Sequence, residues 1–248
     1  MGRRVIVWVL LLTVAASAGF ILSKGPGGTK VAVEERFVKP EGDTPAGSVA
    51  MGPHMRMTAA RPPRPEDEAR ADSLAKEARE AIEKYKDYRV ALGDGYKILR
   101  PDVPQEMYHF NNERYFDEAA RRFAPEHPPS LLYEKKRRGY ELIGVMYTAP
   151  AGATEDELNE RAPLSVASWH LHVNVCLPQD DPLEKLFEQG SRFGLNGSIT
   201  TREECDRAGG RFHPQFFGWM VHLYPYERTR REMWSLERQM FPGHHHPQ

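Results

Sequence analysis

Apolar residues recur at three- and four-residue steps from Glu66 onward. Leu74, Ala78, Ala81, Ile82 and Tyr85 form one stripe, and Glu, Lys and Arg cover the remainder. This spacing predicts an amphipathic helix, ended by "GDG" at Gly93–Gly95 or by a short extension before it. Beyond Gly95 the period falls to two. "SLLYEK" (130–135) and "YELIGVMYTAP" (140–150) read as a hairpin around "KRRG", with Gly139 at positive φ. "SVASWHLHVNVCLP" (165–178) and "FFGWMVHLYP" (216–225) read as two more strands, each stopped by proline. Thr154 is placed to cap a helix in "ATEDELNER", and Thr200 or Thr201 to cap one reaching Ala208. "RTRREMWSLERQMF" reads as a last short helix. The order predicts a single α+β domain over residues 65–241, with the amphipathic helix packed on a mainly antiparallel sheet. Curling of that sheet into a small barrel is an open alternative.

The alternation in "WHLHVNVC" separates two faces. Leu171, Val173, Val175 and Leu177 make one apolar face, and His170, His172, Asn174 and Cys176 make the other. The final strand repeats the scheme, with Trp219, Val221 and Leu223 opposite Met220, His222 and Tyr224. Neither strand centre carries Lys, Glu or Arg on its histidine face, as a wet outer face usually does. "MYHFNN" adds His109 beside Asn111, opposite Tyr108 and Phe110. If these strands enclose a cavity, His109, His170, His172 and His222 are the candidate metal ligands, because neutral imidazole suits Zn, Cu, Fe and Ni. Asn174, Met220 and Tyr224 would orient a ligand or face an open coordination position. Two alternatives stay open: separate hydrogen-bonded histidines, and a metal-free catalytic role. No catalytic residue is assigned. His127 and His213 lie beside prolines and read as surface loop residues, while His244–His246 form a tract that binds metal adventitiously.

Ahead of the domain, Arg3 and Arg4 precede "VIVWVLLLTVAASAGFILS", and Ala16-Ser17-Ala18 satisfies the small-residue rule for signal peptidase. Residues 1–23 are therefore expected to be a signal peptide, or an uncleaved anchor in which 5–23 span a bilayer. The chain is expected to be exported, periplasmic or secreted. Residues 24–64 are rich in Gly, Pro and Thr and read as a flexible linker. Within it, Met51, His54, Met55 and Met57 form a cluster suited to a soft ion such as Cu(I), or stand there by chance. In an oxidising compartment Cys176 and Cys205 are expected to pair, which removes Cys176 from the metal ligands.

A net charge of −1 gives no electrostatic reason to expect nucleic acid. No GxSxG, P-loop, dinucleotide fingerprint, HExxH or CxxCH occurs in the chain. Ser165 and Ser168 lack any elbow that would make them nucleophiles. The expected partner is a metal ion, copper or zinc, with the membrane engaged only through an uncleaved N-terminus.

The succession "YHFNN", "PPSLLYEKK", "YELIGVMYTAP", "RAPLSVASWHLHVNVCLP" and "GWMVHLYP" resembles a group of exported bacterial proteins of unassigned activity, over residues 54–225. The resemblance implies a secreted domain and no particular reaction. The HxH pair also resembles the metal motif of cupin barrels. That motif carries a glutamate a few residues on, where this chain has Asn174 and Cys176. The reading at this stage is an exported protein with a histidine-rich transition-metal site that binds or senses the ion or uses it for chemistry. The alternative is a metal-free binding module or envelope structural protein.

Overall fold

The computed structural model describes residues 48–180, 185–188, 190–235 and 237–238. The leader expected at 1–23, most of the stretch read as linker, and the histidine tail from 242 lie outside the described residues. Eight strands form one antiparallel sheet: β1 (Val49–Ala50), β2 (Met55–Met57), β3 (Lys97–Ile98), β4 (Tyr108–Asn111), β5 (Ser130–Lys136), β6 (Gly139–Ala149), β7 (His170–Pro178) and β8 (Gly210–Leu223). Their spatial order is β1-β2-β7-β8-β6-β5-β4-β3. The fold is α+β, and the sheet is open. β1 and β3 are its edges and do not pair with each other, so the barrel expectation is corrected.

The amphipathic stripe forms helix α1 (Asp67–Ile82), continued by a 3₁₀ turn at Glu83–Lys86. Ala71, Leu74, Ala75, Ala78, Ile82 and Tyr85 bury against one sheet face. There they meet Tyr108, Phe110, Leu131, Tyr133, Val145, Leu171, Val173, Trp219, Val221 and Leu223. The start of α1 is fixed by Asp67, which accepts from the Arg64 amide at 3.0 Å and the Ser165 hydroxyl at 2.6 Å. Ser165 thus anchors the helix to the segment leading into β7. Five short helices follow: α2 (Tyr88–Gly93), α3 (Glu113–Ala119), α4 (Glu155–Arg161), α5 (Arg202–Arg207) and α6 (Arg230–Met233). Thr154, Thr201 and Thr229 cap the last three, each accepting from the backbone amide three residues on. Among the described residues no helix is long and apolar enough to cross a membrane.

Three regions depart from the sequence reading. Part of the expected linker is sheet, because Met55–Met57 pair with His170–His172 of β7. β8 begins at Gly210, earlier than expected, and runs through Pro214. His213, read as a surface residue, is consequently buried. His127 is half-buried, its Nδ1 2.9 Å from a Glu118 carboxylate oxygen and its ring stacked on Tyr115.

Strands β6 and β8 approach closely at Gly144, where a Cβ would lie 2.4 Å from the Leu223 carbonyl oxygen and 3.0 Å from the Tyr224 ring. The backbone cannot give way there without moving the end of β8. Gly144→Ala is expected to lower stability by about 1–3 kcal/mol through overpacking. An unchanged urea midpoint would mean that the two strands are further apart than described.

Candidate functional site

The face of the sheet opposite α1 carries the histidines. Directly opposed residues of an antiparallel pair share a face. His170 lies opposite Met220, and His222 opposite Met146. His109 enters from β4, opposite Leu132 of β5. Leu132, Met146, Met220, Tyr224 and Met107 pack together on this face, away from the helix-covered core. Period-two alternation in β4 and β8 is what delivers the residues: Tyr108, Phe110, Trp219, Val221 and Leu223 go to the α1 side.

The imidazoles make a row. Ring centres are separated by 5.7 Å for His109–His222, 5.1 Å for His222–His170 and 5.5 Å for His170–His172. Imidazoles that share one ion, with metal–nitrogen bonds of about 2.1 Å, have ring centres about 5 Å apart. Each adjacent pair is therefore near ligand spacing. Among the described residues, however, no three His, Cys, Asp or Glu side chains already converge as a metal-holding group. Ligation by three imidazoles would take ring rotation, and histidine χ2 is a soft torsion.

His170 and His222 are buried, and His109 and His172 are half-buried. Burial, followed by repulsion from the neighbouring His170, pushes His109 down to about 4 and His172 to about 3. The same causes, with Arg238 added, hold His222 well below the usual imidazole range. These three rings are thus neutral at pH 7, the form that binds metal.

Their hydrogen bonds leave nitrogens over. The Nδ1 atoms of His109 and His172 are buried without a partner. The His172 ring also bonds to the His54 backbone, so its Nε2 makes that bond and its Nδ1 keeps the lone pair. His222 Nδ1 lies 3.2 Å from the Tyr224 hydroxyl, which donates to Met107 Sδ at 3.9 Å. That relay fits a His222 whose Nδ1 carries the proton and donates it to the Tyr224 hydroxyl.

Other expected site residues sit differently. Asn174 has φ 55° and interrupts the alternation of β7. Its amide donates to the Pro53 carbonyl at 3.0 Å, so it holds the β1–β2 turn. Past Asn174, Val175 and Leu177 leave the α1 core and pack with Leu186 and Phe216. Cys176 and Cys205 form a disulfide, which takes both thiols out of metal chemistry. His54 donates from Nε2 to the Gly197 carbonyl at 2.7 Å, and its own carbonyl accepts from the Val173 amide. Met55 lies opposite His172 and Met57 opposite His170, a neighbourhood that sequence reading missed. Met51 is exposed at 42% and stands apart.

A separate open groove of about 300 Å³ is lined by Asp94, Gly95, Lys97, Asn112, Glu113, Arg114 and Tyr115, and by none of the row histidines. No family model, curated protein or solved structure matches this chain.

Proposed function

We propose that this protein binds a transition-metal ion on the His109–His222–His170–His172 row. The observation that carries the reading is the row itself: imidazoles at 5.1–5.7 Å, on a face apart from the main core, with the Nδ1 atoms of His109 and His172 buried and unpartnered at its two ends. A buried lone pair without a donor costs about 1–3 kcal/mol, and an ion on the row would relieve such a cost. The leader-like N-terminus and the Cys176–Cys205 bridge support an exported protein working in an oxidising compartment. Binding, buffering or sensing of the ion fits a row covered by apolar side chains. Chemistry on a substrate would need an open coordination position beside a pocket.

The test uses the full chain with His244, His245 and His246 changed to Ala, dialysed against Cu(I), Cu(II) or Zn(II) and assayed for bound metal. About one equivalent is expected, lost in both His170→Ala and His222→Ala, with the double variant little worse than either. If no ion is retained, and the two substitutions give additive stability losses, the histidines are hydrogen-bonding groups and the metal reading falls. The relay from His222 through Tyr224 to Met107 and the His172–His54 bond would then be their whole role, in a metal-free binding module.

A further inference from the structure

The row is bordered by methionine. His170 has Met57 opposite it on one side and Met220 on the other, His172 has Met55, and His222 has Met146. With Met107, which receives the Tyr224 hydroxyl, five of the chain's nine methionines stand on this face. Met57, Met107, Met146 and Met220 are buried. Cross-strand partners lie about 5 Å apart at Cβ, so a flexible thioether reaches past its neighbour's ring.

Resting on the metal-binding reading above, we infer that the ion is soft and monovalent, Cu(I) or its analogue Ag(I), held by His170 and His222 with thioether sulfur from Met57 or Met220. Two further features select it. No candidate ligand brings a negative charge, since the set is imidazole and thioether and both cysteines are in the disulfide. The cost of burying an ion rises with the square of its charge, so a neutral set discriminates strongly against a dication. Finally, adjacent rings in a row offer two imidazoles at once in place of the three or four protein ligands that zinc takes. Thioethers supply the remaining bonds to a soft ion that tolerates low coordination.

The experiment is an anaerobic competition with ascorbate as reductant, so that the disulfide is untouched. Cu(I) is supplied as its bicinchoninate complex to the full chain lacking the three tail histidines, and Ag(I) and Zn(II) are titrated in parallel. One equivalent of Cu(I), displaced by Ag(I), is expected, with Zn(II) weaker by at least about 100-fold. Met57→Leu and Met220→Leu conserve volume, and at least one of them is expected to weaken Cu(I) by about tenfold or more while leaving Zn(II) unchanged. X-ray absorption at the copper edge of the unsubstituted protein reads sulfur directly and does not depend on either variant folding. Zn(II) bound as tightly as Cu(I), or a nitrogen-only copper shell indifferent to both substitutions, would overturn this inference and leave the metal reading standing. Retention of no ion at all would end both.

Discussion

Acidifying the metal-free protein from pH 7 toward pH 4 is expected to unfold it, with a midpoint above about pH 4. In the folded chain burial holds His109 at about 4, His172 at about 3 and His222 well below its ordinary value. Burial, with Arg211 beside it, places His213 at about 4 as well. Unfolded, each ring takes a proton near pH 6.5. Between about 6.5 and 4 the unfolded chain therefore binds more protons, and stability falls as the pH falls. Above 6.5 both states are neutral and stability is at its plateau. Each ring kept neutral contributes a slope of about 1.4 kcal/mol per pH unit, so the four together exceed about 5. A domain with about 5–15 kcal/mol in hand does not survive two such units easily.

The measurement is urea unfolding at half-unit steps of pH, followed by tryptophan fluorescence. A flat stability between pH 7 and 4.5 would show that the rings take up protons in the folded state, and the buried row would be wrong. The same titration with one equivalent of bound ion should move the acid midpoint downward, because ligation to the native state adds protons to the list of competitors.

How much of this was legible in the sequence follows from the range of the interactions. Periodicity and caps are local, so α1, the β5–β6 hairpin with Gly139 at φ 123°, the Thr154 cap and a cap at Thr200 or Thr201, which falls on Thr201, could be read directly. The faces of β4 and β8 followed from the same period of two. Strand β2 could not be read, because "MRM" is three residues in a Pro- and Gly-rich stretch and is a strand only through its partner, more than a hundred residues away. The start of β8 was hidden by Gly210 and Pro214, which normally break strands. Here Pro214 falls between the paired Gln215 and His213, across from Asn174 at φ 55°, where no ladder hydrogen bond is formed. The turn at Asn174 was hidden for a similar reason: alternation predicts a face only while the backbone stays extended. The row of histidines was legible as three separate faces. Its methionine border was not, because that depends on strand order.

The second large effect is expected from the disulfide. Replacing Cys176 and Cys205 together by Ala should lower stability by about 3–4 kcal/mol, the loop-closure entropy released over a separation of 29 residues. For a domain near 200 residues that is a fall of about 6–16 °C in Tm. The bridge lies against β8 closely enough that a Cβ on Gly210 would meet Cys176 Sγ at 2.6 Å and Cys205 Sγ at 2.9 Å, so Gly210→Ala should reproduce part of the loss with both thiols present. More than stability is tied to it. The Gly194 amide donates to the Cys176 carbonyl, and Gly197 receives the His54 ring, whose backbone in turn holds His172. The disulfide thus anchors the segment that fixes one end of the histidine row. The double variant should therefore expose the His54 and His172 rings to faster solvent exchange while His109 and His222, held from β4 and β8, keep their protection. A loss below about 1 kcal/mol, with all four rings unchanged, would mean that the packing of Leu186, Ile199 and Phe216 holds the segment alone and that the bridge adds little to the site.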